Sequence, residues 1–249
     1  MDNKKIEILK YLDERVSQVL YQGKKCYMKK HVPSKRNYFH QFQKLLFWIT
    51  RSPFWVNTIL KCGRSEIIHE AQKLKLLKQL GVNVPTVLEC NEEYLIIEDC
   101  GQSLVEILKE DPQNSQDYLD KAISSLAILH QAHQCHGGAQ IRNFTINHGE
   151  IYMIDFEEDI PHEYFHGIAF RDLILFMMSI PACVLPNCSI SRLVKLYEEH
   201  SQIMVRKRLN KFARRLNFLK FLSKKPFSKW VGKDVLIMNT IIEKVRQQL

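Results

Sequence analysis

The stretch that most restricts this chain runs from His136 to Glu157. It opens with His136-Gly137-Gly138-Ala139-Gln140-Ile141-Arg142-Asn143 and continues through Phe144-Thr145-Ile146 to Asn147-His148-Gly149. It closes with the apolar run Ile151-Tyr152-Met153-Ile154, ended by Asp155. The Asn-His-Gly triplet between two apolar runs is a hairpin signal. An aspartate directly after a buried strand is costly unless it is paired or holds a cation. Asn143 and Asp155 thus offer an amide oxygen and a carboxylate from neighbouring rigid segments, the oxygen ligands a hard divalent cation takes.

The rest of the chain supplies compatible parts. Val16 to Tyr21 and Cys26 to His31 read as strands joined by Gln-Gly-Lys-Lys, and the apolar/polar alternation favours Lys29 over Lys30 as the inward lysine. Ile67, Ile68, Ala71, Leu74, Leu77 and Leu80 follow the helical period from Ser65 to Leu80, where Gly81 ends it. Glu70 lies mid-helix, with Glu66 one turn earlier as its competitor. Val84 to Leu88 and Glu93 to Ile97 read as strands, and Glu98-Asp99-Cys100-Gly101 as a hinge. Leu104 to Lys109 and Tyr118 to Ala132 read as helices, as does everything after Arg171. Leu173 to Leu185 reads as a buried helix, too short to span a bilayer. The fold class expected is α+β: a strand-rich part over 1–100, carrying an aromatic-basic insertion at 38–62, then a mostly helical part over 101–249.

Net charge is +9, with 45% hydrophobic and 25% charged residues, as in a soluble globular protein with an anionic partner. Seven cysteines without framework spacing point to reduced thiols and a cytoplasmic location. The segment 206–233 carries many Lys and Arg and no acid, with Leu209, Phe212, Leu216 and Leu219 at helical steps. It reads as a basic amphipathic helix, with three readings open: a solvated lobe face, peripheral contact with anionic membrane lipids, and nucleic acid, the last unsupported by any reading module.

Taken in order, Lys29, Glu70, the hinge, the His136 loop, Asn143 and Asp155-Phe156 resemble the protein-kinase-like superfamily. The closest likeness is to the lipopolysaccharide-core (Kdo/heptose) kinases. It is carried by Tyr27-Met28-Lys29-Lys30-His31, Phe54-Trp55, Glu70-Ala71, Leu80-Gly81-Val82, Pro85, Ile96-Ile97-Glu98-Asp99, Leu129-His130 and Ile154-Asp155-Phe156, over residues 15 to 180. The resemblance implies a bilobal protein-kinase-like fold, with a small strand-rich N-lobe and a larger helical C-lobe. It also implies ATP with Mg2+ and a sugar or other lipid-linked small hydroxyl acceptor at the inner membrane face. Lys29, Glu70, Glu98 and Asn143 are the implied nucleotide-binding residues, and Asn143 and Asp155 the metal ligands. Asp172 resembles the aspartate that holds the catalytic loop backbone.

Three departures stand out, the first being that Gly23 is the only glycine before Gly63, so the Gly-rich phosphate loop is missing. Gly138 occupies the position of the loop's catalytic aspartate, and Glu157 replaces the glycine of D-F-G. General-base help is worth roughly 10²–10⁴ in rate, so the chain is either a slow phosphotransferase or a nucleotide-binding pseudokinase serving as a binding module. Gln140, positioning a hydroxyl, and His136, accepting a proton, are candidate catalytic substitutes beside Asp155. Two metal readings compete. His162-Glu163-Tyr164-Phe165-His166 matches the zinc-protease H-E-x-x-H pattern, and His130, His133, Cys135 and His136 form a second possible cluster.

Overall fold

The computed structural model describes residues 6–13, 15–30, 59–60, 64–215 and 233–248. The aromatic-basic insertion expected at 38–62 lies almost wholly outside these residues, as does the 216–232 part of the basic segment. In chain order the elements are β1 (Ile6–Tyr11), β2 (Val16–Tyr21), β3 (Lys24–Lys30), β4 (Ile59–Leu60), α1 (Arg64–Gln79), β5 (Val87–Cys90), β6 (Tyr94–Glu98) and β7 (Gln102–Ser103). They continue with α2 (Leu104–Glu110), α3 (Ser115–Gln131), β8 (Phe144–Asn147), β9 (Glu150–Met153), β10 (Glu158–Asp159), α4 (Phe165–Met178), α5 (Ile190–Ser201), α6 (Arg206–Arg215) and α7 (Lys233–Gln248). Short 3-10 turns occupy Ile141–Asn143, His162–Tyr164 and Leu185–Asn187. The class is α+β, as expected.

The chain divides into two compact units, one made of residues 1–101 and 145–168, the other of 102–144 and 169–249. Residues 145–168, which a single cut near residue 101 assigns to the helical half, therefore belong with the sheet.

The first unit is built on a five-stranded antiparallel sheet in the order β1-β2-β3-β6-β5. Its core follows the period-2 pattern: Val19, Tyr21, Cys26, Met28 and Ile96 form one buried cluster. Lys29 falls on the other face of the β3 pleat, opposite Leu95 of β6. Helix α1 buries Ile67, Ala71, Leu74 and Leu77, each worth about 1.5–3 kcal/mol for a large side chain. Its end is a Schellman closure. The Val82 N–H donates to the Leu77 carbonyl at 3.0 Å and the Gly81 N–H to that of Lys78 at 3.1 Å, with Gly81 in the left-handed region. The β8–β9 hairpin turns at His148-Gly149, both at positive φ, as a two-residue primed turn requires. At Gly101 (φ +87) an added Cβ would lie 2.1 Å from the Ile146 carbonyl oxygen, so the close approach of the hairpin backbone excludes any side chain.

In the second unit α3 packs on α5, burying Leu119, Ile123 and Leu126 of α3 and Leu193, Val194 and Tyr197 of α5. The expected helix from Leu173 to Leu185 is cut short: α4 starts at Phe165 and ends at Met178, and Pro181 and Pro186 put turns in its place. The apolar side of α6 (Leu209, Phe212, Ala213) lies with Ile174, Met177 and Met178 of α4 and Ile241, Ile242 and Val245 of α7 around one small cavity. Among the described residues, no helix is long and apolar enough to cross a membrane.

Candidate functional site

In the first unit, charged side chains from β3, α1 and the segment after β9 converge. The Lys29 ammonium is 2.6 Å from Glu70 Oε1, 2.8 Å from Asp155 Oδ1 and 3.6 Å from Glu157 Oε1. Strand β3 delivers the lysine from within the sheet, and α1 presents Glu70 on its buried face, 1% exposed. Burial opposes charge on Lys29, but Glu70, Asp155 and Glu157 outweigh it and hold the pKa above its ordinary value, so the ammonium is fixed. Glu66 does not compete for Lys29. It accepts instead from Arg15 Nη2 at 2.9 Å, and Arg15 Nη1 lies 2.8 Å from Glu157.

Asp155 is held by three local facts. Its φ of +73 is left-handed, a conformation that a residue with a side chain adopts only when its surroundings impose it. Upstream, the Met153 N–H donates to the Asn83 carbonyl at 3.0 Å. Downstream, the Phe156 ring is buried, 1% exposed. The Asp155 side chain stays 44% exposed. Burial, beside the Asp155 carboxylate, pushes Glu157 up to about 7 against the pull of Lys29. Glu70, Asp155 and Glu157 bring carboxylate oxygens within 4.8 Å of one another. With Glu66, four carboxylates face two cations here among the described residues.

Glu98, expected at the nucleotide through the hinge, uses its carboxylate locally. It accepts from the Thr86 N–H at 3.1 Å and from the Thr86 hydroxyl, with Lys78 at 3.8 Å. Burial opposes its charge, yet these Thr86 bonds keep its pKa below the ordinary glutamate value.

In the second unit the His136 loop is anchored by Asp172 on α4, fully buried. One Asp172 oxygen accepts the backbone N–H of His136 at 2.9 Å and of Gly137 at 3.1 Å, with His130 Nε2 at 3.4 Å; the other faces the Ala139 N–H at 3.5 Å. Burial alone would raise this carboxyl, but the His130 bond and neighbouring positive charge outweigh it and lower its pKa. Arg171 donates to the Gly137 carbonyl at 3.1 Å, and His130 Nδ1 meets the Tyr197 hydroxyl at 2.7 Å. Asn143 closes the loop: its Nδ2 donates to the Gly138 carbonyl at 2.9 Å, which fixes the amide orientation and leaves Oδ1 as its acceptor end. His136, suggested as a proton acceptor, is 1% exposed, and its Nδ1 accepts from the Gly138 N–H at 3.4 Å. Gln140 is half-buried and precedes the turn Ile141–Asn143. A Cβ built at Gly138 meets nothing within 4 Å.

The rival metal patterns are not assembled. His162 sits in the 3-10 turn and His166 in the first turn of α4, so one regular helix does not present both. With Glu163 they form no metal-capable group among the described residues. Of the second cluster, His133 is exposed at positive φ while His130 and His136 are buried in the Asp172 network. His130, Cys135 and Asp172 do bring ligand atoms within 4.8 Å, but the Asp172 oxygens already accept backbone N–H groups.

A strand lysine paired to a helix glutamate, an aspartate ending a hairpin strand, and a loop pinned by a buried helix aspartate define a protein-kinase-like domain. Residues 19–174 match the RIO domain model, and the chain belongs to that family. Over 101 residues it is 32% identical to the KEOPS complex subunit Bud32 of Pyrococcus abyssi, an alignment covering 39% of this chain and 46% of Bud32. The chain therefore spans under half of that relative's length. It is also 22% identical over 243 residues to an uncharacterized protein of Haemophilus influenzae, covering 95% of this chain and 91% of that protein. The expected superfamily is the one found, and the family reached within it is the RIO domain.

Sequence reasoning passed over Arg15 and its bridge. The only available signal was Glu157 itself, a carboxylate where glycine was expected, which demands a cation nearby.

Proposed function

We propose that this chain binds Mg-ATP and slowly transfers its terminal phosphoryl group to a small hydroxyl acceptor. The observation that carries the reading is the Lys29 ammonium held between Glu70 at 2.6 Å and Asp155 at 2.8 Å. The residues fit a divalent cation: with all groups ionised, acids exceed cations by two around Lys29 and Arg15 among the described residues. In addition, Glu70 Oε2 is buried without a hydrogen-bond partner among the described residues. When bound, Mg2+ neutralises charge on the phosphoryl group in transit. Asp155 would hold it. Lys29 supplies a fixed positive charge for phosphate oxygens, Glu70 orients that lysine, and Asp172 keeps the His136 loop in shape. No carboxylate stands at Gly138, which is why the rate is low.

The finer reading, a lipid-linked sugar at an anionic membrane surface, draws on the residue likeness to lipopolysaccharide-core kinases. It draws also on the exposed α6 residues Lys207, Lys211, Arg214 and Arg215, which recur at helical steps. Since Leu209 and Ala213 of that helix are buried in the protein, such a contact is electrostatic and not insertive.

The test is thermal stabilisation by Mg-ATP and phosphoryl transfer to a lipid-linked sugar in anionic vesicles, with a serine-containing protein as the other acceptor. Wild type should be stabilised, and Asp155→Asn should lose the effect while remaining folded. Gly138→Asp should raise transfer by roughly 10²-fold. Stabilisation without transfer in either protein would establish the pseudokinase reading. Transfer to protein alone would reject the sugar acceptor, and an unchanged shift in Asp155→Asn would reject the nucleotide site.

A further inference from the structure

We propose that Arg15 is a positioning residue for the nucleotide site, keeping Glu157 from closing on the Lys29 ammonium. The proposal rests on the Mg-ATP reading above and adds a component that the motif pattern lacks.

Glu157 stands two residues after Asp155, where the D-F-G pattern has no side chain. Its Oε1 is shared between two cations, 2.8 Å from Arg15 Nη1 and 3.6 Å from Lys29 Nζ. The guanidinium is itself anchored, since Nη2 lies 2.9 Å from Glu66 Oε1 on α1, one turn before Glu70. Burial opposes charge on Arg15, but Glu157 and Glu66 outweigh it and hold its pKa above the ordinary value, so this cation is permanent. The result is a two-rung ladder. Glu66 and Glu70 form the α1 rail, Asp155 and Glu157 the opposite rail, and Arg15 and Lys29 the rungs.

The rungs are not equivalent. An arginine fork can satisfy two carboxylates along fixed directions, whereas a lysine is a point charge that draws every nearby acid. Lys29 already carries Glu70 and Asp155. Without Arg15, Glu157 keeps Lys29 as the one cation within 4 Å among its described ion pairs. At that range in a partly buried setting, weakly screened attraction draws the carboxylate toward the ammonium. Closure of Glu157 would give Lys29 a third carboxylate, against which an incoming polyphosphate must compete. Arg15 therefore makes a glutamate tolerable beside a phosphate-binding lysine.

The experiment measures Mg-ATP affinity and the metal-free melting temperature of the full chain in four forms: wild type, Arg15→Ala, Glu157→Gln and the double variant. Arg15→Ala should weaken Mg-ATP about tenfold, and Glu157→Gln alone should tighten it about twofold or more. The double variant should recover affinity to within about twofold of Glu157→Gln. Failure of Glu157→Gln to rescue Mg-ATP affinity in Arg15→Ala overturns the proposal, and rescue of the melting temperature without rescue of affinity makes Arg15 a purely structural residue and overturns it too. Loss of binding in Glu157→Gln alone also overturns it and makes Glu157 a ligand instead. If Arg15→Ala does not fold, Arg15→Lys takes its place; this retains the charge but cannot fork, and should weaken binding about threefold with the same rescue. Absence of Mg-ATP binding in wild type defeats the nucleotide reading and this one together. Binding in wild type without rescue defeats this one alone.

Discussion

Two buried acidic constellations, one in each unit, differ in how fully their acceptors are satisfied. Asp172 is saturated: backbone N–H groups of His136, Gly137 and Ala139, together with His130, surround a carboxylate with no exposed surface. Around Lys29 the acids outnumber the cations among the described residues, one of the acids is 44% exposed, and its backbone is left-handed. Saturation marks a scaffold, since nothing remains to offer a ligand. Surplus charge with exposure and strain marks a place where a cation or reacting group is expected. Both aspartates interrupt apolar sequence, and a reading of residue type alone treats them alike.

Replacing Asp172 with Asn should produce the largest effect on stability. The amide keeps one acceptor oxygen but turns its NH2 against a backbone N–H and removes the buried negative charge that faces His130, at a cost of roughly 3–5 kcal/mol. A melting-temperature fall of about 10 °C in calorimetry is expected for a chain this long; a fall of only a degree or two would erase the contrast drawn here. The second effect concerns pH in metal-free protein. Folded Glu157 binds its proton more tightly than an ordinary glutamate, about 7 against 4.5. Its contribution to stability is complete below 4.5 and lost as pH rises through about 7. The Glu157→Gln variant should flatten that decline by roughly 1–3 kcal/mol, read as melting temperature against pH. Asp172 has the opposite sign: its pKa is lowered, so its contribution is lost as pH falls below the ordinary carboxylate range. If both constellations showed the same slope, the distinction between them would fail. The smallest effect is that of Tyr197→Phe, which removes the hydroxyl 2.7 Å from His130 Nδ1. About 1 kcal/mol of stability should go with Mg-ATP stabilisation intact; an equal loss of nucleotide response would join the two regions functionally.

Much of the fold was legible because it rests on local periodicity. Alternation along β3 singles out Lys29, which is buried while Lys30 is exposed, and helical spacing gives α1 with its Gly81 stop. The Asn147-His148-Gly149 hairpin needed only its turn residues. Strand β1 escaped notice because its outward side chains, from Glu7 to Tyr11, are exposed and follow no alternation. The apolar run after Arg171 suggested a helix continuing past Met178 to Leu185, since apolar content alone does not show where a proline redirects the backbone. At the site, the order of Lys29, Glu70, Asn143 and Asp155 could be read along the chain. The Arg15–Glu66 pair, 51 residues apart, could not, because a surface-type arginine announces nothing until the fold brings its acids to it.

The sheet unit is assembled from two lengths of chain, 1–101 and 145–168, with helical polypeptide spliced between them. Asp155 and Glu157 arrive on the second length. During synthesis, then, the lysine and its helix glutamate emerge long before the carboxylates that complete their surroundings, and the ladder closes only after residues 102–144 of the other unit have left the ribosome. A fragment stopped at the glycine of residue 101 would contain a sheet but no chemistry.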